Sequence, residues 1–123
     1  MSDQEIKHEK INYIELHASD FEATKLFFNS VFGWIFTDYG PDYMAFSNAG
    51  MEGGFFKSDL ASSAQKGSAL IVFYSDNLEQ TQVKVENAKG SITQSIFSFP
   101  GGRRFHFADP NGNEFAVWSD VDL

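Results

Sequence analysis

The sequence contains the same pattern twice. A run that starts Tyr13-Ile-Glu-Leu-His-Ala-Ser-Asp-Phe-Glu and ends on Phe32-Gly33 returns without a gap at an offset of 57 positions. The second copy starts Leu70-Ile-Val-Phe-Tyr-Ser-Asp-Asn-Leu-Glu and ends on Lys89-Gly90. Asp20 falls on Asn77, Phe21 on Leu78, Glu22 on Glu79, Val31 on Ala88 and Gly33 on Gly90. A repeat of this length is one supersecondary unit present twice, and each copy must bury its apolar side against something.

Each copy reads as strand, turn, helix, stop. Ile14 and Leu16 alternate with Tyr13, Glu15 and His17, which is the period of a half-buried strand. Ser19-Asp20 offers a helix N-cap, Thr24, Phe27, Phe28 and Val31 recur at helical spacing, and Gly33 supplies a left-handed stop. In the second copy Ser75, Asp76 and Asn77 are the cap candidates, Thr81, Lys84, Val85 and Ala88 hold the helix positions, and Gly90 closes the helix. Short β-rich runs follow each helix: Trp34–Tyr39, Tyr43–Ser47 and Glu52–Lys57, then Ser91–Phe97, Arg103–Ala108 and Glu114–Ser119. Gly, Pro, Asn and Asp clusters separate them, the strongest turn being Asp109-Pro110-Asn111-Gly112-Asn113.

The expected fold is α+β: two βαβββ modules forming a curved eight-stranded mixed sheet with the helices on its convex face. Residues 1–10 form a polar lead-in, 11–57 the first module, 58–67 a linker and 68–119 the second, within a single structural domain over 11–123. Ile14, Leu16, Ile71 and Phe73 are expected under the helices. Tyr13, Glu15, His17, Leu70, Val72 and Tyr74 are expected on the other, concave side.

Bulk composition narrows the function. With 123 residues and 42% hydrophobic content the chain can bury a core of its own. Its fourteen Phe supply that core or the wall of an apolar pocket. The absence of Cys excludes disulfides, thiolate nucleophiles and Cys-held metal. A formal charge of −8 argues against nucleic acid and anionic membranes as partners. No apolar run reaches membrane-spanning length, and the polar start has no signal-peptide core, so the expected location is cytoplasmic.

The two modules, the Phe32-Gly33-Trp34 triplet, and Phe107-Ala-Asp-Pro-Asn-Gly-Asn-Glu before the last strand resemble the vicinal-oxygen-chelate superfamily over residues 11–119. That superfamily groups glyoxalase I, extradiol dioxygenases, and fosfomycin- and bleomycin-resistance proteins, and the triplet is similar to its glyoxalase-related subgroup of unassigned function. The resemblance implies a homodimer. It also implies a metal held on the concave face by one side chain from each of four strands. Those positions correspond here to Tyr13, Gly54, Leu70 and Ala116. Leu, Gly and Ala offer no donor atom, and a phenol must first lose its proton. His8, His17 and His106 contain no pair at ligand spacing. The expectation is therefore no metal and no cofactor.

What remains is a small-molecule-binding protein, with a metal-independent isomerase- or lyase-like enzyme as the alternative. The ligand-binding candidates are Tyr13, Glu15, Leu70, Tyr74, His106 and Trp118. Glu15 is the expected polar anchor for a neutral or cationic, partly aromatic ligand, and the tyrosines and Trp118 are the stacking walls. Glu15 or His106 is the candidate base for the enzyme reading, and Arg103 or Arg104 the candidate partner of Glu15. Asp109 and Asn113 read as turn-formers.

Overall fold

Polar residues at the strand ends decide where the helices begin. Asp20 sits in extended conformation, its side chain accepts the amide of Ala23, and α1 (Phe21–Phe32) follows. Gly33 ends α1 in the left-handed region at φ 73°. Asn77 caps α2 (Leu78–Asn87) in the same way by accepting from Gln80. The computed structural model describes residues 6–121. Its strands are β1 (Tyr13–Ala18), β2 (Ile35–Asp38), β3 (Tyr43–Ser47), β4 (Glu52–Lys57), β5 (Ile71–Tyr74), β6 (Ser91–Phe99), β7 (Gly102–Ala108) and β8 (Glu114–Ser119). The expected lead-in and domain end fall partly on residues 1–5 and 122–123, which lie outside the described residues.

The repeat in sequence is a repeat in topology. The eight strands form two four-stranded mixed sheets, ordered β1-β4-β3-β2 and β5-β8-β7-β6. In each, the first strand runs parallel to the last and the remaining pairs are antiparallel. The architecture is the expected α+β pair of βαβββ modules. Each sheet has a face covered by helix and core and an open face, which corresponds to the concave side anticipated above.

One core serves both sheets. The Phe28 ring stacks on Trp34 at 4.4 Å, meets Phe55 of the first sheet at 5.6 Å and Phe115 of the second at 5.5 Å. Phe32 stacks on Phe73 at 4.1 Å. Phe27, Phe28, Phe55, Phe105, Phe107 and Phe115 are fully buried, Phe46 nearly so, and Phe21, Phe32, Phe36 and Phe73 pack against them, so most of the Phe belong to the core. Burying a Phe side chain contributes about 1.5–3 kcal/mol, and these rings tie α1 to strands of both modules.

Gly90 differs from the expectation. The left-handed residue after α2 is Lys89, at φ 72°, and Gly90 has another function. A Cβ there would lie 2.7 Å from both Phe27 and Val85, so the glycine lets α1 and α2 side chains close over the chain as it enters β6. The 58–67 connector also holds more order than a bare linker. It contains one 3-10 turn, Ala64–Lys66, capped by Ser63.

The Asp109–Asn113 turn does more than reverse the chain. The buried Asp109 carboxylate accepts from the amides of Asn111 and Asn113, both at 2.9 Å, and from their side-chain Nδ2 groups at 3.3 and 3.1 Å. Asn111 Oδ1 in turn accepts from the amides of Ser19 at 3.0 Å and Asp20 at 3.2 Å, while its Nδ2 donates to Thr24 Oγ1 at 2.7 Å. Asn113 Nδ2 donates to the His17 carbonyl at 2.7 Å, and its Oδ1 accepts from Ser62 at 2.9 Å. A turn of the second module thus satisfies backbone groups where α1 of the first begins. Burial pushes the Asp109 carboxyl above its ordinary range, even though the donors from Asn113 and Asn111 pull the other way.

Candidate functional site

Strand register places the side chains of the open faces. Glu15 of β1 lies opposite Gly54 of β4, and Val72 of β5 lies opposite Ala116 of β8. Gly54 and Ala116 are therefore equivalent positions in the two modules. By the same rule Tyr43 corresponds to Arg104, Ala45 to His106, Phe56 to Trp118 and Glu52 to Glu114.

The first face is built on a gap in β4. A Cβ on Gly54 would fall 2.2 Å from Tyr43 Oη and 2.5 Å from Tyr43 Cζ. On the opposite side of the strand a Cβ on Gly53 would fall 2.4 Å from Phe46 Cζ. Consecutive glycines thus let one ring lie on each face of β4. The Tyr43 hydroxyl donates to Glu15 Oε2 at 3.0 Å, so the short 2.6 Å contact with Tyr13 is a bond donated by Tyr13 to Tyr43. The result is a directed chain from Tyr13 through Tyr43 to Glu15. Burial, then the bonds to Tyr13 and Glu15, raise the Tyr43 phenol far above its ordinary value, so it remains a neutral donor. Glu15 takes neither arginine as partner.

The second face combines rings with one guanidinium. Tyr74 meets Trp118 edge-on at 5.2 Å, and Phe99 lies 6.3 Å from Trp118. The Tyr74 hydroxyl donates to Asp120 at 2.6 Å, which raises its own pKa. Arg104 donates to His106 Nε2 from Nε at 3.2 Å and Nη2 at 3.0 Å. Nε2 is therefore the unprotonated nitrogen. Nδ1 carries the proton and faces Glu114 Oε2 at 3.5 Å, while Glu114 Oε1 accepts the Ala64 amide at 2.8 Å. Arg103 points to the helix side, where it forms an ion pair with Glu79 and holds that carboxyl below its usual range.

The six candidates therefore divide. Tyr13 and Glu15 meet on the first face; Tyr74, Trp118 and His106 gather on the second. Leu70 precedes β5, half-buried. His17 packs edge-on against Phe56 at 4.6 Å and bonds Ser58. The sequence reading missed Tyr43, Phe97 and Phe99. A Gly-Gly pair inside a strand pattern marks close approach of another group, a signal that flags the site of Tyr43 without naming it. The edges of β1 and β5 also border a separate apolar cleft of about 410 Å³, lined by Leu16, Trp34, Phe46, Ile71 and Phe73 among others.

These positions do not fit a divalent metal. Tyr13 is engaged with a phenol that keeps its proton, the space a ligand from position 54 would need is filled by the Tyr43 ring, and Leu70 and Ala116 carry only carbon. Among the described residues no group of three His, Cys, Asp or Glu is placed to hold a metal.

Two mixed sheets, each with one parallel edge pair and two antiparallel pairs, define a paired-module protein built around two open faces. Residues 10–117 match the Glyoxalase/Bleomycin resistance protein/Dioxygenase superfamily, and the chain belongs to that superfamily. Similar solved structures include a glyoxalase-related enzyme from Fulvimarina pelagi, with 17% identity, TM-score 0.75, and 91% of this chain and 88% of that one covered. The fosfomycin resistance protein FosX from Listeria monocytogenes shares 15% identity at TM-score 0.76, over 92% and 94% of the two chains. A lactoylglutathione lyase from Agrobacterium tumefaciens shares 20% identity at TM-score 0.69, over 92% and 95%. No curated protein matches significantly. Among the described residues no helix is long and apolar enough to cross a membrane.

Proposed function

We propose that this protein binds a small organic molecule without a metal, using the Tyr13–Tyr43–Glu15 chain as the polar anchor of its first open face. The observation that carries this reading is the Tyr43 ring lying over Gly54, in the space that a side chain at this position, one of the four the resemblance assigns to a metal, would need. Glu15 accepts one bond from Tyr43 and, being exposed, keeps acceptor capacity toward a ligand's N–H, O–H or ammonium group. Binding is favoured over base catalysis at His106, because Arg104 covers the nitrogen that a base would use. A homodimer belongs to the same proposal. β1, β2, β5 and β6 are sheet edges, and Val72 and Tyr74 beside them are 43% and 53% exposed.

The test is elemental analysis of purified protein together with a thermal-shift screen of neutral, cationic and anionic aromatics, read beside Glu15→Gln. The expected outcome is no stoichiometric Zn²⁺, Ni²⁺, Fe²⁺ or Mn²⁺, with ammonium-bearing hits that weaken about tenfold in the Gln variant as a charge-assisted bond is lost. A bound metal held by open-face side chains overturns the reading. Sedimentation of a stable monomer at micromolar concentration removes the dimer.

A further inference from the structure

The second open face carries a charge that the first does not. The Arg104 guanidinium carbon lies 5.8 Å from the centre of the Phe97 ring and 5.9 Å from that of Phe99. Among the described residues its hydrogen bonds go to one imidazole nitrogen, which must be unprotonated to accept. The neighbouring carboxylates are already bonded: Glu114 to the Ala64 amide and toward His106 Nδ1, Asp120 to the Tyr74 hydroxyl. In a chain of net charge −8, a half-buried guanidinium is thus held among aromatic rings beside a neutral base. Its adjacent residue, Arg103, is neutralised by Glu79.

His106 takes one N–H from Nε and one from Nη2. A guanidinium has five donors in a planar fork, so the Nη1 pair and the second Nη2 proton remain for an incoming group. That edge matches the two oxygens of a carboxylate, and bidentate pairing is the geometry at which Arg surpasses Lys. Phe97, Phe99 and Trp118 supply flat apolar surface beside it, so the recognised carboxylate is one carried on an aromatic ring. The low local polarity of those rings strengthens the ion pair relative to water.

We propose that the open face of the second module is a binding site for aromatic carboxylates, with Arg104 as the anion receptor and His106 and Glu114 as the residues that orient it. The site lies on a different sheet from the Glu15 anchor and stands without it. Its occupancy is read independently by backbone amide shifts on β6 and β7 rather than β1 and β4.

The experiment titrates full-length protein with 2-naphthoate, 2-naphthamide and 2-naphthylmethylammonium, followed by amide NMR and by the Arg104 Nε–H resonance. Naphthoate is expected to shift the Nε–H signal and the β6 and β7 amides, and to bind at that face at least about tenfold tighter than the amide or the ammonium compound, as a charge-assisted fork requires. Arg104→Gln is expected to abolish that preference while leaving the dispersed amide spectrum intact. Arg104→Lys, a point charge without the fork, retains only part of it. Three results overturn the proposal: no naphthoate binding at millimolar concentration, naphthoate shifts confined to other strands, or an unchanged preference in Arg104→Gln.

Discussion

The two modules are built alike and finished differently. At the corner before the last strand, the second module has Asp109, Asn111 and Asn113 bonded to one another and to the first module. The first module has Asn48, Ala49 and Met51 at the matching positions, and there Asn48 bonds the Gly33 carbonyl. On the open faces, a tyrosine lying over Gly54 faces a glutamate in one module, and an arginine bonded to His106 is held among rings in the other. The backbone repeat is thus a scaffold that tolerates opposite chemistry at equivalent positions. Polar groups placed on a packed sheet, rather than the sheet itself, set what each face recognises.

The largest expected effect separates the two corners. Asp109→Ala strips the acceptor from buried donors and is expected to cost roughly 3 kcal/mol in denaturant unfolding. Ser47→Ala, at the matching corner, is expected to stay within about 0.5 kcal/mol. Equal costs would mean that the corner residues act only through the turn.

Next come the two small residues at equivalent positions of the last strands, Gly54 and Ala116. Gly54→Ala pushes a methyl into the Tyr43 ring and is expected to cost about 1–3 kcal/mol while breaking the bond to Glu15. The reciprocal Ala116→Gly should cost about 0.5–1 kcal/mol, mainly through backbone entropy. A Gly54→Ala protein as stable as wild type would show that the ring has room to move aside.

Tyr43→Phe removes one donor and is expected to cost about 1 kcal/mol at neutral pH. Its pH dependence has a definite sign. The folded pKa is raised, so the Tyr43 contribution is complete below the unfolded phenol value, about 10, and is lost as pH rises toward the folded value. Wild type should therefore lose stability above that pH more steeply than the Phe variant, as seen in paired urea melts.

The smallest effect is at Asp109. Its raised carboxyl pKa favours folding most at low pH and withdraws that part as pH rises through the folded value. Carboxyl-carbon NMR should place it above the ordinary Asp value of about 3.9. A value below that would mean the four donors outweigh burial.

Much of this contrast was legible before the fold was known. Local periodicity placed both helices, since Asp20 and Asn77 cap them and Thr24, Phe27, Phe28 and Val31 form the buried stripe. Alternation put Tyr13 and Glu15 on the open face, because a strand has only two faces to offer. What local pattern does not encode is pairing at a distance. The Tyr43–Glu15 bond depends on strands that meet only through β4, and the Gly90 stop was misread because α1, far away in sequence, needed the space. The division of the site candidates between two faces depends on the sheets being separate, which no single strand reveals.

The Asn111 and Asn113 bonds have a consequence for how the chain reaches its fold. They join residues 87 to 96 positions apart, and the Phe28–Phe115 contact spans a comparable distance. On the ribosome, then, the first module emerges whole while the hairpin that completes its helix start and half its core is still unmade. Such non-local closure slows folding, because chain entropy is lost before the contacts that offset it form. A nascent chain stopped after Lys57 is expected to remain protease-sensitive, and protection should arrive in one step once the last strand has left the exit tunnel.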